Sequence, residues 1–278
     1  MCAICGCSGT VDAGHVSDED AHQHQPGHGH EPGPEHEHEH VHADGSVTRH
    51  RHSHSLLTRR TIEVERDLLA DNDAVATDNR RQFAAMRTLV LNLMSSPGSG
   101  KTTLLEQTLL RLRRDVPMPV AVIEGDQQTS LDAERIRKTG VPAVQVNTGK
   151  ACHLDALMVK RALTELPPLR DGLLLIENVG NLVCPAGFDL GEQRRVVIAS
   201  VTEGEDKPLK YPGMFAHADL VVVSKIDLLP YLDFDGDRFA RYAEQVRPGV
   251  ELLWLSARTG DGMAAWLAWL RQQRSSLG

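Results

Sequence analysis

Short apolar runs alternate with amphipathic stretches from residue 88 to the end of this 278-residue chain. The apolar runs predict strands, and the stretches whose apolar residues recur every three or four positions predict helices. Strands are predicted at 88–94, 119–124, 143–147, 172–177, 196–201, 219–224 and 251–255. Helices are predicted at 101–114, 131–139, 152–166, 236–247 and 262–273. This alternation indicates an α/β fold, in which a mostly parallel sheet is flanked by helices on both faces.

The first 60 residues differ in composition from the rest of the chain. Twelve of the 14 histidines lie between His15 and His54, among Gly, Pro, Glu and Asp. Because such a segment has almost no apolar residues to bury, residues 1–60 are predicted to be a largely disordered, Cys- and His-rich metal-binding tail. Loosely helical spacing from Thr61 to Met86 predicts one or two helices that lead into a second domain, residues 61–278.

Charge and apolar patterning exclude several classes of protein. A formal net charge of −8 and a pI near 5.9 argue against nucleic acid as a partner. No apolar run is long enough to cross a membrane, and no secretory signal is recognised. Five cysteines, three of them within the first seven residues, suit metal binding in a reducing compartment better than a disulfide framework. The chain is therefore predicted to be cytoplasmic.

A Gly- and Ser-rich turn follows the first predicted strand and approximates the pattern G-x-x-x-x-G-K-[ST], with Ser95 in place of the first glycine. Such a turn directs backbone N–H groups toward phosphate oxygens, while the lysine adds positive charge and the following hydroxyl binds Mg²⁺. The alternative is an ordinary Gly-rich turn between a strand and a helix. The predicted phosphate-binding residues are Gly98, Ser99, Gly100, Lys101, Thr102 and Thr103.

Two further strands run into acids. Glu177 opens the string Glu-Asn-Val-Gly, where GTPases usually have D-x-x-G, with the acid near Mg²⁺ and the glycine, here Gly180, at the γ-phosphate. Asp126 is the candidate for positioning the attacking water or for a water-mediated Mg²⁺ contact. With Lys101 and Thr102, these two acids are the predicted catalytic residues. The alternatives are a solvated loop acid at 126 and an incidental acid at 177.

Base recognition is predicted from the string Ser224-Lys225-Ile226-Asp227, which resembles the N-K-x-D element of GTPases. The Asp227 carboxylate can accept two hydrogen bonds from guanine, whereas adenine would leave it unpaired. The hydrocarbon stem of Lys225 would pack along the base. Ser224 departs from the usual Asn, which leaves the contact to the phosphate loop open. Ser256 and Ala257 fit the last element of the series, so GTP is predicted over ATP.

Three cysteines in the tail, Cys2, Cys5 and Cys7, are spaced closely enough to surround one ion. Three thiolates and a nitrogen suit square-planar Ni²⁺ better than the closed tetrahedral shell of structural Zn²⁺. The alternative is a flexible tail with incidental thiols. The histidine run would store borderline metal ions weakly, or would be a solvated linker with no such role.

A second metal site is predicted from Cys152, His153 and Cys184, which supply two thiolates and one imidazole. A water or a second copy of the chain could supply a fourth ligand. Each residue alone would pass as a buried thiol or a satisfied histidine. Because Cys184 lies four residues beyond Gly180, movement of 177–180 on GTP hydrolysis should move this thiol as well.

Taken together, these strings resemble the hydrogenase nickel-incorporation GTPases, the HypB family of SIMIBI-class P-loop NTPases. The resemblance extends from Thr61 to about Leu270, and the Cys-x-x-Cys-Gly-Cys opening and the histidine tract are also family features. The strings that carry it are Ser95–Thr103, Glu124–Thr129, Val146–Asp155, Ile176–Ala186 and Val201–Tyr211.

The resemblance implies a slow GTPase that helps deliver Ni²⁺ to the large subunit of [NiFe] hydrogenase. It implies a homodimer in the GTP-bound state and a HypA-type nickel accessory protein as a partner. It assigns Cys2, Cys5 and Cys7 to a tight nickel site. It assigns Cys152, His153 and Cys184 to a Zn²⁺ or Ni²⁺ site at the dimer interface, and it makes Ser95 and Glu177 ordinary variants. A urease-type nickel accessory GTPase and a non-catalytic nickel store are the alternatives.

Overall fold

The computed structural model describes residues 35–41, 47–115, 118–126, 131–149 and 151–277. Two strands form an antiparallel hairpin, β1 (Glu35–Val41) and β2 (Val47–Ser53). The remaining strands are β3 (Leu89–Ser95), β4 (Val120–Asp126), β5 (Ala143–Asn147), β6 (Leu173–Glu177), β7 (Arg194–Ser200), β8 (Leu220–Ser224) and β9 (Glu251–Trp254). The helices are α1 (His54–Met86), α2 (Lys101–Asp115), α3 (Leu131–Lys138), α4 (Ala156–Leu163), α5 (Lys207–Lys210), α6 (Pro212–Ala216), α7 (Gly236–Val246) and α8 (Met263–Ser275).

Strands β3 to β9 form one parallel sheet in the order β5-β4-β6-β3-β7-β8-β9. The seven predicted strands are these seven, with ends that differ from the prediction by up to two residues. The predicted α/β fold with a mostly parallel, helix-flanked sheet is therefore confirmed. Strand β3, which leads into the phosphate loop, lies at the centre of the sheet, where neighbours on both sides hold it in place.

Strand β3 is mostly apolar, and its successive side chains pack on opposite faces of the sheet. Leu91 belongs to a core with residues of α2 and α8, including Trp266, and Val90 belongs to a core with Phe83 of α1 and residues of α4. The Trp266 indole donates to the Thr108 hydroxyl at 2.8 Å, so its buried N–H is satisfied. Because helices cover both faces, ligands have access at the carboxyl ends of the strands.

The stretch predicted to lead into the second domain is one continuous helix of 33 residues, α1. It begins at His54, so it crosses the boundary predicted at residue 60. Within the predicted tail, the structure also pairs β1 with β2, placing Glu37 opposite Arg51 and Glu39 opposite Arg49. The sequences of β1 and β2 are dominated by polar and charged residues, which is why composition did not indicate these strands. No helix in the described ranges is both long and apolar enough to cross a membrane.

Helix α4 begins later than predicted, and this changes the setting of two candidate metal ligands. The prediction placed residues 152–166 in the helix, with Cys152 and His153 at its start. In the structure, the Asp155 side chain accepts a hydrogen bond from the Met158 N–H at 2.7 Å and caps the helix. Cys152 and His153 therefore lie in the loop that precedes α4.

Candidate functional site

The phosphate loop connects the buried end of β3 at Ser95 to the first residue of α2, Lys101. Gly98 and Gly100 have φ angles of 75° and 95°, a left-handed region that favours glycine. The loop borders a cavity of about 570 Å³ that opens at the carboxyl ends of the strands. Its lining includes all six predicted phosphate-binding residues together with Asp126, Glu177, Gly180 and Lys225. The structure therefore brings the predicted phosphate and acid residues into one cavity.

Glu177 contacts the two functional side chains at the start of α2. Its Oε1 accepts a hydrogen bond from Thr102 Oγ1 at 2.6 Å and lies 3.4 Å from Lys101 Nζ. Burial raises the pKa of Glu177, and the positive charge of Lys101 and the Thr102 hydrogen bond act in the opposite direction. The side chains predicted to bind phosphate and metal thus contact each other.

A second carboxylate lies beside this cluster, because Glu124 of β4 is paired in register with Glu177 of β6. Both side chains are buried, and among the described residues neither Oε2 has a hydrogen-bond partner. Carboxylate oxygens, together with the Thr102 hydroxyl that contacts Glu177, are hard oxygen donors of the kind that Mg²⁺ prefers. The residues present therefore suit a magnesium ion at this edge of the sheet.

Glu124 predicts a pH-dependent stability of the protein without nucleotide or metal. Burial raises its pKa from 4.5 to about 8, and the charges of Glu177 and Asp126 act in the same direction. Between these values the native state holds a proton that the unfolded chain does not, so the free energy of unfolding falls as pH rises from about 4.5 to about 8. The expected loss is a few kcal/mol, since a tenfold change in ionisation corresponds to about 1.4 kcal/mol.

Urea unfolding at several pH values measures this dependence. Glu124→Gln should flatten the fall in stability and should be more stable than the parent at pH 8. Glu165→Gln, at an exposed site, is the matched control for loss of one carboxylate. A Glu124→Gln variant that kept the full pH dependence would show that another group binds the proton.

The predicted base-binding residues border an adjacent cavity of about 240 Å³, which includes Ser224, Lys225, Asp227, Ser256 and Ala257. Ser224 donates to the carbonyl of Ser99 at 2.7 Å, so the serine connects this pocket to the phosphate loop despite replacing the usual Asn. Lys225 Nζ donates to the Gly98 carbonyl at 2.6 Å. The pocket and the phosphate loop are therefore held together by two side-chain hydrogen bonds.

Asp227 is held in place by its neighbours. Its Oδ1 accepts from the Ser256 hydroxyl at 2.6 Å, and its Oδ2 lies 3.2 Å from the Arg258 Nε. The Ser256 hydrogen bond lowers the pKa of Asp227, and the charge of Arg258 acts in the same direction. The carboxylate is thus ionised and oriented, as an acceptor for guanine N–H groups requires.

The substitution Asp227→Asn is expected to weaken GTP binding by about 10²-fold or more, because the new amide N–H opposes the guanine donors. Xanthine has a carbonyl where guanine has its amino group, so the variant should prefer XTP. Equilibrium binding of fluorescent GTP and XTP derivatives measures both effects. Asp233→Asn, an exposed neighbour, is the matched control. Unchanged GTP affinity in the Asp227 variant would place the base elsewhere.

Three candidate metal ligands converge beside the nucleotide cavity. The ligand atoms of Cys152, His153 and Cys184 all lie within 4.8 Å of one another. Cys184 is buried at the start of a short 3-10 turn, whereas the other two are half-buried. Burial lowers the pKa of His153, so the neutral imidazole that binds metals is favoured, although nearby Asp155 acts in the opposite direction. The predicted residues therefore form one cluster with two sulfurs and one nitrogen.

The segment that carries Cys184 also contacts the phosphate loop. A Cβ at Gly180 would lie 3.1 Å from the backbone of Pro97, closer than most such contacts, so the lack of a side chain favours this approach. Asn181 then accepts the N–H of Val183 at 2.8 Å, which fixes the turn before Cys184. Cys2, Cys5 and Cys7 lie outside the described residues.

Several residues that line or support the nucleotide cavity were not predicted from the sequence. Asp132 and Arg135 line the phosphate cavity from α3, and Ser96 of the loop donates to Glu203 at 2.7 Å. Asn178 makes hydrogen bonds in several directions directly after Glu177. For Asn178, its place inside the Glu-Asn-Val-Gly string was an available signal. The Ser96 contact spans more than a hundred residues and had no local signature.

The sheet order, phosphate loop and base pocket define a P-loop protein of the GTPase fold. The chain belongs to the CobW/HypB/UreG family, whose nucleotide-binding domain matches residues 89–253. Within that family, its relatives include proteins named hydrogenase maturation factor HypB, which confirms the resemblance found in the sequence. The relative from Azotobacter chroococcum is 60% identical over 217 residues, which cover 78% of this chain and 70% of the relative.

Two further relatives and two solved structures agree with this assignment. HypB of Escherichia coli K12 is 60% identical over 78% of this chain and 74% of its own. A hydrogenase/urease maturation factor HypB of Helicobacter hepaticus is 42% identical over 79% and 90%. The structure of HypB from Archaeoglobus fulgidus matches with a TM-score of 0.68 at 38% identity, over 74% of this chain and 99% of that chain. HypB from Helicobacter pylori, solved in complex with nickel, matches with a TM-score of 0.70 at 38% identity, over 74% and 96%.

Proposed function

We propose that the protein is a GTP-hydrolysing nickel metallochaperone that assists insertion of Ni²⁺ into the large subunit of [NiFe] hydrogenase. The names of the 60% identical relatives and the nickel complex of a structural relative support this function. The main structural support for this function is the short distance along the chain between the metal cluster and the nucleotide site. Cys152, His153 and Cys184 form one ligand cluster, and Cys184 lies four residues after Gly180 of the nucleotide site. Nucleotide state can therefore act on metal affinity through one short segment.

In this proposal, water attacks the γ-phosphate while Lys101 and the N–H groups of the loop stabilise the developing charge. Mg²⁺, held by Thr102 and by Glu177 through water, would neutralise phosphate charge. Asp126 lines the same cavity and positions the attacking water. Arg135 also lines the cavity, but its guanidinium binds Glu106 at 2.8 Å and Asp132 at 3.3 Å. An arginine held in this way supports the expectation of slow intrinsic turnover.

The fourth metal ligand and the partners belong to the same proposal. A homodimer formed in the GTP-bound state would bring two clusters together, and a water or a residue of the second copy would complete each shell around Ni²⁺ or Zn²⁺. Cys2, Cys5 and Cys7 would form a separate tight nickel site, with the histidine tract as a store. A HypA-type protein would exchange nickel with the chain. Reduced thiolates suit the cytoplasm.

Complementation tests the client enzyme. A bacterium that lacks its own HypB but retains hydrogenase and urease would receive the full chain, and both activities would be measured at limiting nickel. The proposal expects hydrogenase activity to return with the parent chain and to stay low with Lys101→Ala. Restoration of urease alone would favour the urease-type function, which the mixed name of the Helicobacter hepaticus relative also suggests. Equal restoration by both chains would favour a nickel store.

A further inference from the structure

The loop that carries Cys152 and His153 is hydrogen-bonded to the nucleotide site at both ends. At its start, the Thr148 N–H donates to the Asp126 carbonyl at 3.0 Å. At its end, the Leu154 N–H donates to the Asn178 side-chain oxygen, also at 3.0 Å. Asp126 and Asn178 lie at the ends of two neighbouring strands, β4 and β6. The loop is therefore fastened to the two strand ends that carry the acids of the nucleotide site.

The orientation of Asn178 is fixed by its neighbours. Its side-chain oxygen accepts the N–H groups of Leu154 and Val179, both at 3.0 Å, and its amide donates to Asn92 Oδ1 at 3.2 Å. The Asn92 amide in turn donates to Glu192 at 3.3 Å. These asparagines are buried, so loss of one contact leaves polar atoms without solvent. A displacement of Asn178 is therefore passed to Leu154 rather than absorbed by water.

The side chain of Leu154 makes a second contact with the nucleotide site. A methyl group added at Gly125 would lie 2.7 Å from Leu154 Cγ, which shows how closely the leucine covers this glycine. Gly125 lies between Glu124 and Asp126 at the end of β4. Leu154 thus touches both strand ends, and the residue before it is His153. The position of the His153 imidazole therefore depends on Leu154, which contacts the ends of both β4 and β6.

We propose that Asn178 is a positioning residue that transmits nucleotide state to His153 through the Leu154 N–H. The inference rests on the proposed function and deepens it. A change in the contacts of Glu177 with Lys101 and Thr102 on nucleotide binding would shift the next residue, Asn178, and through its hydrogen bond would shift Leu154. Cys184 is moved through the chain from Gly180. The two halves of the metal cluster are thus moved by separate routes from one segment, which changes the distance between imidazole and thiol.

A second buried asparagine, which holds the backbone N–H two residues after Leu154, provides a matched control. The Ala156 N–H donates to the side-chain oxygen of Asn72 at 2.9 Å, and Asn72 belongs to α1. Both bonds hold a backbone N–H at the start of α4 through a buried asparagine. Asn72 does not line the nucleotide cavity, whereas Asn178 follows a residue that does. The two asparagines therefore separate nucleotide coupling from simple support of the loop.

The test compares Asn178→Ala with Asn72→Ala in the full chain carrying Cys2→Ser, Cys5→Ser and Cys7→Ser, which removes the thiols of the proposed tight nickel site. The histidine tract is the same in every variant, so the difference between nucleotide states reports the cluster of Cys152, His153 and Cys184. Nickel dissociation constants are measured against a competing chelator in the GDP state and with a non-hydrolysable GTP analogue. For Asn178→Ala, the ratio of the two constants should fall toward one by about twofold or more. For Asn72→Ala it should stay at the parental value. A ratio kept by both variants, or lost equally by both, would overturn the role of Asn178.

If Asn178→Ala fails to fold, hydrogen exchange on the parent chain tests the proposed role of Asn178 instead. The Leu154 amide should exchange at different rates in the GDP and GTP-analogue states, and the Ala156 amide should exchange at the same rate in both. Equal Leu154 rates in the two states would overturn the proposal. A different result would contradict the proposed function itself: the parent chain would bind nickel with the same affinity in both nucleotide states.

Discussion

Replacing Lys101 with Ala lowers the rate of GTP hydrolysis by about 10²- to 10³-fold, the loss expected when one donor to a developing oxyanion is removed. Lys101 opens α2 beside the phosphate cavity, and its ammonium lies 3.4 Å from Glu177 Oε1. The lysine offsets the charge of this buried carboxylate. In the proposed function, the same positive charge would face the phosphates of a bound nucleotide. Single-turnover hydrolysis at saturating GTP measures the chemical step, and equilibrium binding of labelled GDP measures the binding part.

Lys160→Ala is the matched control, because Lys160 pairs with Asp78 at 3.4 Å on the exposed surface of α4. It should hydrolyse GTP at the parental rate. Removal of Lys101 also leaves the buried Glu177 without its cation, so the variant's native fold is checked by circular dichroism. If Lys101→Ala folds and hydrolyses GTP at the parental rate, the assigned phosphate site is wrong.

Replacing Cys184 with Ser is the second change with a large expected effect. Cys184 is buried and lies within 4.8 Å of the Cys152 and His153 ligand atoms. A serine hydroxyl does not replace a thiolate as a ligand of Ni²⁺ or Zn²⁺. Loss of an outer-shell contact already costs a metal site about 10- to 100-fold in affinity, so loss of this ligand should cost at least the upper end of that range. Calorimetric titration with each metal, on the chain carrying Cys2→Ser, Cys5→Ser and Cys7→Ser, measures the effect on the cluster of Cys152, His153 and Cys184.

Val183→Ser is the control, because Val183 is adjacent in the chain and 40% exposed. It introduces the same hydroxyl without removing a ligand and should leave both affinities unchanged. Parental Ni²⁺ and Zn²⁺ affinities in Cys184→Ser would exclude this thiol from the site. An equal loss in both variants would show that the turn, rather than the sulfur, had been disturbed.

The sheet, and the convergence of the candidate nucleotide-binding residues at one of its edges, were predictable because the signals for both are local. Apolar runs defined the strands, and parallel strands bring their carboxyl ends to one edge, where Lys101, Glu177 and Asp227 all had to converge. The same rule allowed Cys152 and Cys184 to be grouped, since each follows a strand of that sheet. The start of α4 was predicted too early because apolar spacing continues upstream of Asp155, whereas the cap of the helix depends on a side-chain hydrogen bond.

Contacts between distant segments could not be predicted from the residues that make them. Asn178 lies inside the Glu-Asn-Val-Gly string, but its hydrogen bond to Leu154 follows only from the way the loop before α4 packs against the sheet. Ser224 is a departure from the usual Asn in the sequence, yet its hydroxyl reaches the Ser99 carbonyl at 2.7 Å across 125 positions. Such contacts depend on how the strands are ordered, which no local pattern contains.

In the proposed function, nucleotide state controls the nickel affinity of the cluster formed by Cys152, His153 and Cys184. The most direct test is the nickel dissociation constant of the full chain carrying Cys2→Ser, Cys5→Ser and Cys7→Ser, measured with GDP and with a non-hydrolysable GTP analogue in the presence of Mg²⁺. We expect the two constants to differ by about 5- to 150-fold, the usual range of coupling between two sites. Equal constants in the two nucleotide states would show that nucleotide binding and nickel binding are not coupled.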